Sequence, residues 1–323
     1  YISRQASLLG RKEVLAGKAK FGIFGDGKEL AQVAMARAFQ KGDWRAGYYR
    51  DQTFMMAIGE ITVESFFAQL YADTNIENEP ASGGRQMNSH FATRYYKAGT
   101  WLNQVKEFNV AADLSPTAGQ MTKLVGLGYA SKLYRESDTL IKSKGSSKFS
   151  NLGNEVAFGT IGNASTSEGH FWESINAAGV LQIPLAMSVW DDGYGISVES
   201  KYQTTKSSIS KVLTGFQNDD GNNGYEIYTI KGWDYPTLVE TYLKGVEKCR
   251  REHNPVLFHI EDITQPQGHS TSGSHERYKT PERLQWEVDF DGITRMKNWM
   301  IENQIITVKD ILAIETQAFE HVE

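Results

Sequence analysis

Between residues 155 and 261, short apolar runs alternate with stretches in which apolar residues recur at helical spacing. This alternation is typical of a parallel sheet that helices cover on both faces. We therefore predict an α/β fold, with a parallel sheet flanked by helices. The predicted strands span residues 156–161, 184–190, 225–230 and 255–261, and a helix over residues 234–251, with Asp234 as its cap, is predicted between the last two.

Helical spacing also occurs outside this region. It predicts a helix over residues 29–40 and another over 62–71, with Thr62 as the N-cap. A third predicted helix begins at Ser115 and runs to about residue 135. Ser115 would cap it and Pro116 would occupy its first turn, where a missing N–H costs nothing.

The remaining pattern suggests three segments. We expect an N-terminal arm (1–20), a central α/β domain (21–283) and a helical C-terminal segment (284–323). Because the helical pattern reaches the last residue, we expect that segment to continue into a further module or to pack on one. Two long polar loops, 73–104 and 264–283, lie in the central domain, and loops of this length are often functional.

Composition narrows the class of protein. The 323 residues are 40% apolar and 11% aromatic, which is enough for a sizeable core. The formal net charge is −5 and no long basic run occurs, which argues against a nucleic-acid partner. Cys249 is the single cysteine, so no disulfide can form within the chain. No apolar run approaches the roughly 20 residues that span a bilayer, and we predict a cytoplasmic protein.

Candidate chemistry follows two of the predicted strands. Gly162-Asn163-Ala164 comes directly after the first, and Asp191-Asp192-Gly193-Tyr194 comes after the second. The carboxyl ends of parallel strands meet at one edge of a sheet, where ligands bind. Ser165 and Glu168 have the spacing of a capping box, so we predict a helix N-terminus there that attracts anions. Oxygen ligands beside an anion site favour Mg²⁺ with a diphosphate.

A glycine turn between strand and helix is common, so the informative feature is the separation of the two candidate ligands along the chain. Asn163 and Asp192 are 29 positions apart. With that separation, the stretch resembles the thiamine diphosphate motif of the α subunits of 2-oxoacid dehydrogenase E1 components. That motif begins with Gly-Asp-Gly or Gly-Glu-Gly and ends in Asn-Asn. The resemblance implies the thiamine diphosphate-binding fold.

The two ligand types are exchanged relative to that motif. Asn163 stands where the family has its acidic residue, and Asp192 stands where it has the second asparagine. One negative charge and two side-chain oxygens are nevertheless retained. The resemblance implies a third ligand, the Tyr194 carbonyl, and hence a Mg²⁺ site of Asn163, Asp192 and Tyr194. By contrast, Gly25-Asp26-Gly27 is not expected to bind metal, because Met55 lies 29 positions after Asp26.

Other loops extend the resemblance over about residues 20–310. Tyr49-Arg50 is similar to a Tyr-Arg pair that contacts the diphosphate, and residues 84–90 are similar to a loop that ends in histidine. Residues 115–117 and 268–272 match two further loops that line the cofactor. The resemblance implies two catalytic residues, His90 and His269. The implied cofactor-binding residues are Tyr48, Tyr49, Arg50, Ser115, Thr117, Gly162, Asn163, Ala164, Ser165, Trp190, Asp192, Tyr194, Ile196 and His269.

The sequence departs from the family at two cationic positions. Trp190 and Gln265 stand where the family has arginines that contact phosphate. The diphosphate would then depend on Arg50, Mg²⁺ and the helix end, or on a lysine that the pattern does not place. Ser270 stands where kinases modify animal relatives, but a serine in a polar loop is unremarkable, and we do not predict that regulation.

The resemblance implies an E1 α component that carries out oxidative decarboxylation of a 2-oxo acid and acylates the lipoyl arm of an E2 acyltransferase. We find no glutamate for the cofactor's ring nitrogen, since Glu168 is assigned to the cap. A β subunit or fused β half is therefore expected, in an α₂β₂ assembly or a homodimer of fused chains. Residues 84–87, Gly-Arg-Gln-Met, lean toward 2-oxoisovalerate or another branched-chain acid.

Three alternatives stay open. One is a pyruvate dehydrogenase E1 α component. Another is a non-catalytic scaffold with a degenerate cofactor fold, which the exchanged ligands and missing arginines would suit. The third is a Rossmann-type nucleotide-binding enzyme. That last class predicts Gly-X-Gly-X-X-Gly after a strand with an acidic residue about 20 positions later, and we find no such run.

Overall fold

The computed structural model describes residues 1–219, 223–271 and 273–323. Its strands are β1 (Trp44–Ala46), β2 (Tyr96–Lys97), β3 (Thr100–Trp101), β4 (Asn109–Val110), β5 (Ala157–Gly162), β6 (Leu185–Trp190), β7 (Tyr194–Gly195), β8 (Val198–Glu199), β9 (Glu226–Lys231) and β10 (Val256–Glu261). Within the described residues, six of these strands form one parallel sheet in the order β4-β1-β5-β6-β10-β9. The strands β2 and β3, and likewise β7 and β8, pair as short antiparallel hairpins.

Helices cover both faces of the sheet. The helices of the described residues are α1 (Ile2–Leu15), α2 (Glu29–Ala38), α3 (Gln52–Ala57), α4 (Val63–Leu70), α5 (Gln120–Glu136), α6 (Asp138–Ile141), α7 (Gly169–Leu181), α8 (Ile209–Val212), α9 (Tyr235–Glu252), α10 (Pro281–Asp289), α11 (Gly292–Glu302) and α12 (Val308–Val322). Alternate strand residues serve opposite faces, as the two-residue period of a strand requires. Phe158 packs with α2 and α9, and Ala157 packs with α5 and α7. The predicted parallel sheet flanked by helices is confirmed.

The four predicted strands correspond to β5, β6, β9 and β10, and two of the predicted helices correspond to α2 and α4. Thr62 caps α4, and its hydroxyl accepts from the Ser65 N–H at 3.1 Å. At the start of α9, Asp234 Oδ1 accepts from the Thr237 N–H at 3.3 Å. These elements were predictable because a long apolar period and a local cap specify each of them.

Two predicted helix starts are wrong. Helix α5 begins at Gln120 rather than Ser115, because Ala118 adopts a left-handed conformation with φ of 62° and ends a separate turn. The predicted capping box of Ser165 and Glu168 is also wrong. A 3₁₀ turn (Ala164–Ser167) follows β5, and α7 begins at Gly169 without a side-chain cap. The Glu168 side chain is therefore not used for capping.

The short strands β1 and β4, at one side of the sheet, were not predicted. They are three and two residues long, and each carries a fully buried polar side chain, Arg45 on β1 and Asn109 on β4. The Asn109 amide donates to the carbonyls of Gly42 and Asp43, each at 3.1 Å. Such strands have no apolar period, because their polar groups are paired inside the protein instead of facing water.

The N-terminal arm is helical and packs close to the C-terminus. Ala6 of α1 lies in one apolar cluster with Phe66 of α4 and Val322 of α12. The division into three segments stays a prediction, as does the cytoplasmic location. Within the described residues, no helix is long and apolar enough to cross a membrane. Residues 220–222, and Ser272 of the predicted polar loop 264–283, lie outside the described part of the chain.

Candidate active site

A cavity of about 450 Å³ opens at the carboxyl ends of β5 and β6. Turns that follow these two strands, the segment before α2, the turn before α3 and the loop after β10 form its walls. The described residues that line it are Phe21, Ile23, Lys28, Tyr48, Tyr49, Arg50, Thr117, Gly162, Asn163, Ala164, Ser165, Glu168, Trp190, Asp192, Tyr194, Gly195, Ile196, Gln203, His269 and Ser270. Its position at the sheet edge is the usual ligand position of open α/β sheets.

The two turns are held next to each other by the sheet. The Asn163 N–H donates to the Trp190 carbonyl at 3.0 Å, which continues the β5–β6 ladder by one residue. After β6, the Tyr194 N–H donates to Asp192 Oδ1 at 3.1 Å, so the aspartate stabilises its own turn. The Asn163 amide donates to Ser200 Oγ at 3.0 Å. Both predicted side-chain ligands thus line one cavity.

Behind the turn, a buried histidine holds the neighbouring aspartate. His259 lies on β10 and is fully buried. Its Nε2 is 2.9 Å from Asp191 Oδ2, and its Nδ1 is 2.8 Å from Ser210 Oγ. Because Asp191 points to β10, the backbone presents Asp192 to the cavity.

Asp192 contacts two potential cations. Lys28 Nζ lies 3.3 Å and His269 Nε2 lies 3.2 Å from the same atom, Asp192 Oδ2. All three residues are at least nine-tenths buried. Burial by itself would raise the pKa of Asp192, but His269 and Lys28 outweigh it and hold that pKa well below its ordinary value. The carboxylate is therefore ionised.

Arg50 is a second buried cation, and its described hydrogen bonds go to neutral groups. The guanidinium donates to the Phe24 carbonyl at 2.7 Å, to the His269 carbonyl at 2.6 Å and to Tyr48 Oη at 3.1 Å. Arg50 is only 3% exposed. The cavity wall therefore contains two cationic side chains, from Lys28 and Arg50, and one buried carboxylate, from Asp192. An anion is the ligand that this arrangement lacks.

A fully buried ionic cluster holds the turn that carries Arg50. Arg45 on β1 donates to Asp113 at 2.7 and 2.9 Å and to Asp51 at 2.7 and 3.2 Å. Asp51 Oδ1 also accepts from Trp190 Nε1 at 3.2 Å. This cluster connects β1, the turn and the end of β6, so it fixes Arg50 relative to the strand ends.

The sequence model of the family described as Dehydrogenase E1 component matches residues 4–323. This chain belongs to the dehydrogenase E1 component family. The resemblance deduced from the motif spacing is thereby confirmed over almost the whole chain. The α/β architecture of the described residues is consistent with that membership.

Several relatives are α subunits of 2-oxoacid dehydrogenases. The chain is 25% identical to the 2-oxoisovalerate dehydrogenase subunit alpha of Bacillus subtilis (strain 168), covering 95% of this chain and 83% of that protein. It is 26% identical to the mitochondrial 2-oxoisovalerate dehydrogenase subunit alpha 1 of Arabidopsis thaliana, covering 89% and 52%. It is 22% identical to the mitochondrial pyruvate dehydrogenase E1 component subunit alpha of Dictyostelium discoideum, covering 92% and 67%. The chain thus spans about half the length of the plant relative.

Most predicted site residues of this E1-family chain line the cavity, but His90 and Ser115 do not. His90 is 2% exposed, and its Nε2 lies 3.2 Å from Ser115 Oγ, outside the set of cavity-lining residues. Thr117 reaches the cavity although the predicted helix start at Ser115 is wrong. Ile196 lies at the rim, 66% exposed. The catalytic and binding roles of all these residues stay predictions.

Four polar residues that line the cavity were not among the predicted site residues, namely Lys28, Glu168, Gln203 and Ser270. Lys28 directly follows Gly25-Asp26-Gly27, a motif that is not expected to bind metal because no oxygen ligand lies 29 positions after Asp26. Asp26 is buried and accepts from the Gln267 N–H at 2.9 Å, so the motif serves to join this segment to the loop after β10. Glu168 was missed because it was assigned to a capping box. A lysine following two glycines in an otherwise apolar stretch was the available signal for Lys28.

The two positions without arginine have distinct surroundings. Trp190 is 1% exposed and fills space at the end of β6. Gln265 is fully buried, and its Oε1 accepts from Lys28 Nζ at 2.7 Å. Among the described residues, the Gln265 amide nitrogen has no hydrogen-bond partner. Such an orphan donor is uncommon in native interiors.

These groups fit a diphosphate-bearing cofactor. The buried ammonium and guanidinium supply the donors and charge that phosphate oxygens require. No cluster of three or more His, Cys, Asp or Glu that could hold a metal occurs among the described residues. A divalent cation would therefore need amide and main-chain oxygens, as in the predicted set of Asn163, Asp192 and the Tyr194 carbonyl. That set suits Mg²⁺ by ligand type.

Proposed function

We propose that this chain is the α part of a thiamine diphosphate-dependent 2-oxoacid dehydrogenase E1 component. The observation that carries the proposal is the pair of buried cations, Lys28 and Arg50, in a cavity whose described lining residues include one buried carboxylate, Asp192. This excess of positive charge suits a diphosphate. Membership of the dehydrogenase E1 component family supplies the cofactor class.

In this proposal, Arg50 would bind the diphosphate, and Asn163, Asp192 and the Tyr194 carbonyl would bind Mg²⁺. Thiamine diphosphate, when bound, supplies the chemistry that breaks the bond between the carboxylate carbon and the 2-oxo carbon. His269 lies in the cavity and can donate a proton or a hydrogen bond to the substrate. The role of His90 would be to support the segment that begins at Ser115, whose Oγ lies 3.2 Å from His90 Nε2.

The site is proposed to be completed by a β subunit or β half. A glutamate for the cofactor's ring nitrogen has no evident source among the described cavity residues, since Glu168 lies exposed at the rim and Asp192 is engaged by cations. The acyl group would pass to the lipoyl arm of an E2 acyltransferase. We propose 2-oxoisovalerate or another branched-chain acid as substrate, with pyruvate as the second candidate.

The test is a cofactor titration of this chain assembled with its β part, in which binding is monitored by intrinsic tryptophan fluorescence. We expect saturable thiamine diphosphate binding that needs Mg²⁺ and is lost in EDTA. Decarboxylation with an artificial electron acceptor, measured with 2-oxoisovalerate, pyruvate and 2-oxoglutarate, then assigns the substrate. Binding without any turnover would favour the non-catalytic scaffold, and absence of binding would refute the proposal.

The metal assignment has its own test. Asp192→Asn should weaken Mg²⁺-dependent cofactor binding by about tenfold or more, because a charged ligand becomes neutral. Adding Asn163→Asp restores the sum of charge in the family's order and should recover much of the affinity. Asp138→Asn, at a side chain 84% exposed on α6, is the matched control. Unchanged affinity in Asp192→Asn would exclude Asp192 as a ligand.

A further inference from the structure

Lys28 is a buried lysine in the wall of the cavity. It lies just before α2, far in sequence from both turns of the cavity, and it is 2% exposed. Its ammonium contacts Asp192 Oδ2 at 3.3 Å, the Thr264 carbonyl at 3.2 Å and Gln265 Oε1 at 2.7 Å. We propose that Lys28 is a diphosphate-binding residue of this chain and that Gln265 positions it. The inference rests on the proposed function.

The backbone is built to bring Lys28 to this position. Gly27 has a φ of 86°, and a Cβ atom there would lie 2.0 Å from the Thr264 carbonyl oxygen. Only glycine permits that approach, because both the conformation and the contact exclude a side chain. Asp26 binds the same loop through the Gln267 N–H. The segment 26–28 is therefore pressed against the loop after β10 by specific contacts.

The charge balance of the wall indicates what Lys28 is for. A buried ammonium is costly unless it is paired. Its partner Asp192 is shared with His269, and Arg50 brings a second cation whose described partners are neutral. If Lys28 served only to neutralise Asp192, the guanidinium of Arg50 would still be unbalanced. A phosphate-bearing ligand balances both cations.

Lys28 also lies beside one of the two positions at which the expected arginine is missing. The strand end is occupied by Trp190, and the loop after β10 has Gln265 at the position expected for an arginine. The Gln265 side chain directs its oxygen to the Lys28 ammonium. The positive charge therefore enters the site from the N-terminal segment, with a glutamine as its hydrogen-bond partner on the loop.

The test measures binding of three ligands to the complete α–β assembly in Mg²⁺: thiamine diphosphate, thiamine and inorganic pyrophosphate. The variants are Lys28→Met and Lys28→Arg, with Lys244→Met, an exposed lysine on α9, as the control. Loss of one charge-assisted contact predicts that Lys28→Met weakens thiamine diphosphate and pyrophosphate binding by about 10- to 100-fold. Thiamine binding should change less than threefold. Lys28→Arg should keep affinity within about tenfold.

The ratio of thiamine to thiamine diphosphate affinity separates this role from a structural one. If Lys28 only stabilises Asp192, Lys28→Met would lower the melting temperature of the cofactor-free protein and weaken all ligands equally, which would overturn the inference. A melting temperature within a few degrees of wild type shows that the variant is folded. Should Lys28→Met fail to fold, Lys28→Gln keeps a polar group beside Asp192 and gives the same ratio test.

Relocating the charge gives an independent check. Adding Gln265→Arg to Lys28→Met places a cation on the loop side of the same position and should recover at least part of the diphosphate affinity. Equal diphosphate affinity of wild type and Lys28→Met would refute the role of Lys28 while leaving the proposed function intact. A wild-type assembly that binds no thiamine diphosphate would refute the proposed function itself.

Discussion

Replacing Arg45 with methionine should destabilise the protein strongly. Arg45 is fully buried, and its hydrogen bonds reach both Asp51 and Asp113. The change would leave two buried carboxylates without their counter-charge. Asp51 would keep Trp190 Nε1 at 3.2 Å, and Asp113 would keep the Phe91 N–H at 2.9 Å, so neither would be stripped of donors.

Breaking one buried ion pair by removing a partner costs about 3–5 kcal/mol. The remaining neutral donors offset part of the second loss, so we expect a decrease of about 4 kcal/mol in the free energy of unfolding. This is a large part of the roughly 5–15 kcal/mol that stabilises a domain. At roughly 2 °C per kcal/mol for a large domain, the melting temperature should fall by about 8 °C.

Thermal unfolding followed by calorimetry, together with urea unfolding followed by fluorescence, measures the effect. Arg37→Met, an exposed position on α2, should change the free energy of unfolding by less than about 0.5 kcal/mol. Adding Asp51→Asn and Asp113→Asn to Arg45→Met removes the uncompensated charge and should recover about half of the loss. A decrease below 1 kcal/mol in Arg45→Met, or no recovery in the triple variant, would refute the reasoning.

Three other changes probe different parts of the molecule. Gly162→Ala would place a Cβ 2.9 Å from Tyr48 Oη and should weaken cofactor binding about tenfold. Gly126→Ala, with open space around it in α5, should instead raise the free energy of unfolding by about 0.5–1 kcal/mol. Equal cofactor affinities of wild type and Gly162→Ala would count against the clash. Burial lowers the pKa of His253 to about 4. As the pH falls from about 6.5 to 4, the unfolded chain therefore binds a proton at this histidine that the folded chain does not bind. Up to about 3 kcal/mol of the free energy of unfolding should be lost across that window. Urea midpoints at pH 7.5 and 4.5 test this, since His253→Asn should lose less stability on acidification than wild type. His269→Ala should retain thiamine diphosphate binding but lower turnover by on the order of 10²-fold, and unchanged turnover would contradict a role in proton transfer.

The centre of the fold could be predicted because its signals are local. Strands β5 and β6 are mostly apolar, with Thr160 and Ser188 as their polar members, and are buried along their whole length. Helix α9 has a cap and a proline at its start. The spacing of Asn163 and Asp192 likewise needs no knowledge of the rest of the chain. These features therefore indicated the sheet, the cavity edge and the family from sequence alone.

What could not be predicted depends on partners remote in sequence. An arginine such as Arg45 suggests an exposed position in the sequence, because its partner Asp113 becomes adjacent only in the folded chain. For that reason β1 was not predicted. Lys28 and Asp192 are separated by 164 positions, so no local pattern announces that the lysine is buried. The start of α7 was misplaced because Ser165 and Glu168 match a capping pattern that the 3₁₀ turn after β5 replaces.

Both buried cations bind the loop after β10 through its main chain. Lys28 donates to the carbonyl of Thr264, and Arg50 donates to the carbonyl of His269. A carbonyl oxygen is present whatever side chain the residue carries. Apart from Gln265, whose side chain also binds Lys28, side chains along this loop can therefore be exchanged during evolution without removing these two main-chain attachments. The same feature makes positions 266 and 267 suitable for altering substrate preference by design, since their side chains can be varied while both main-chain attachments remain.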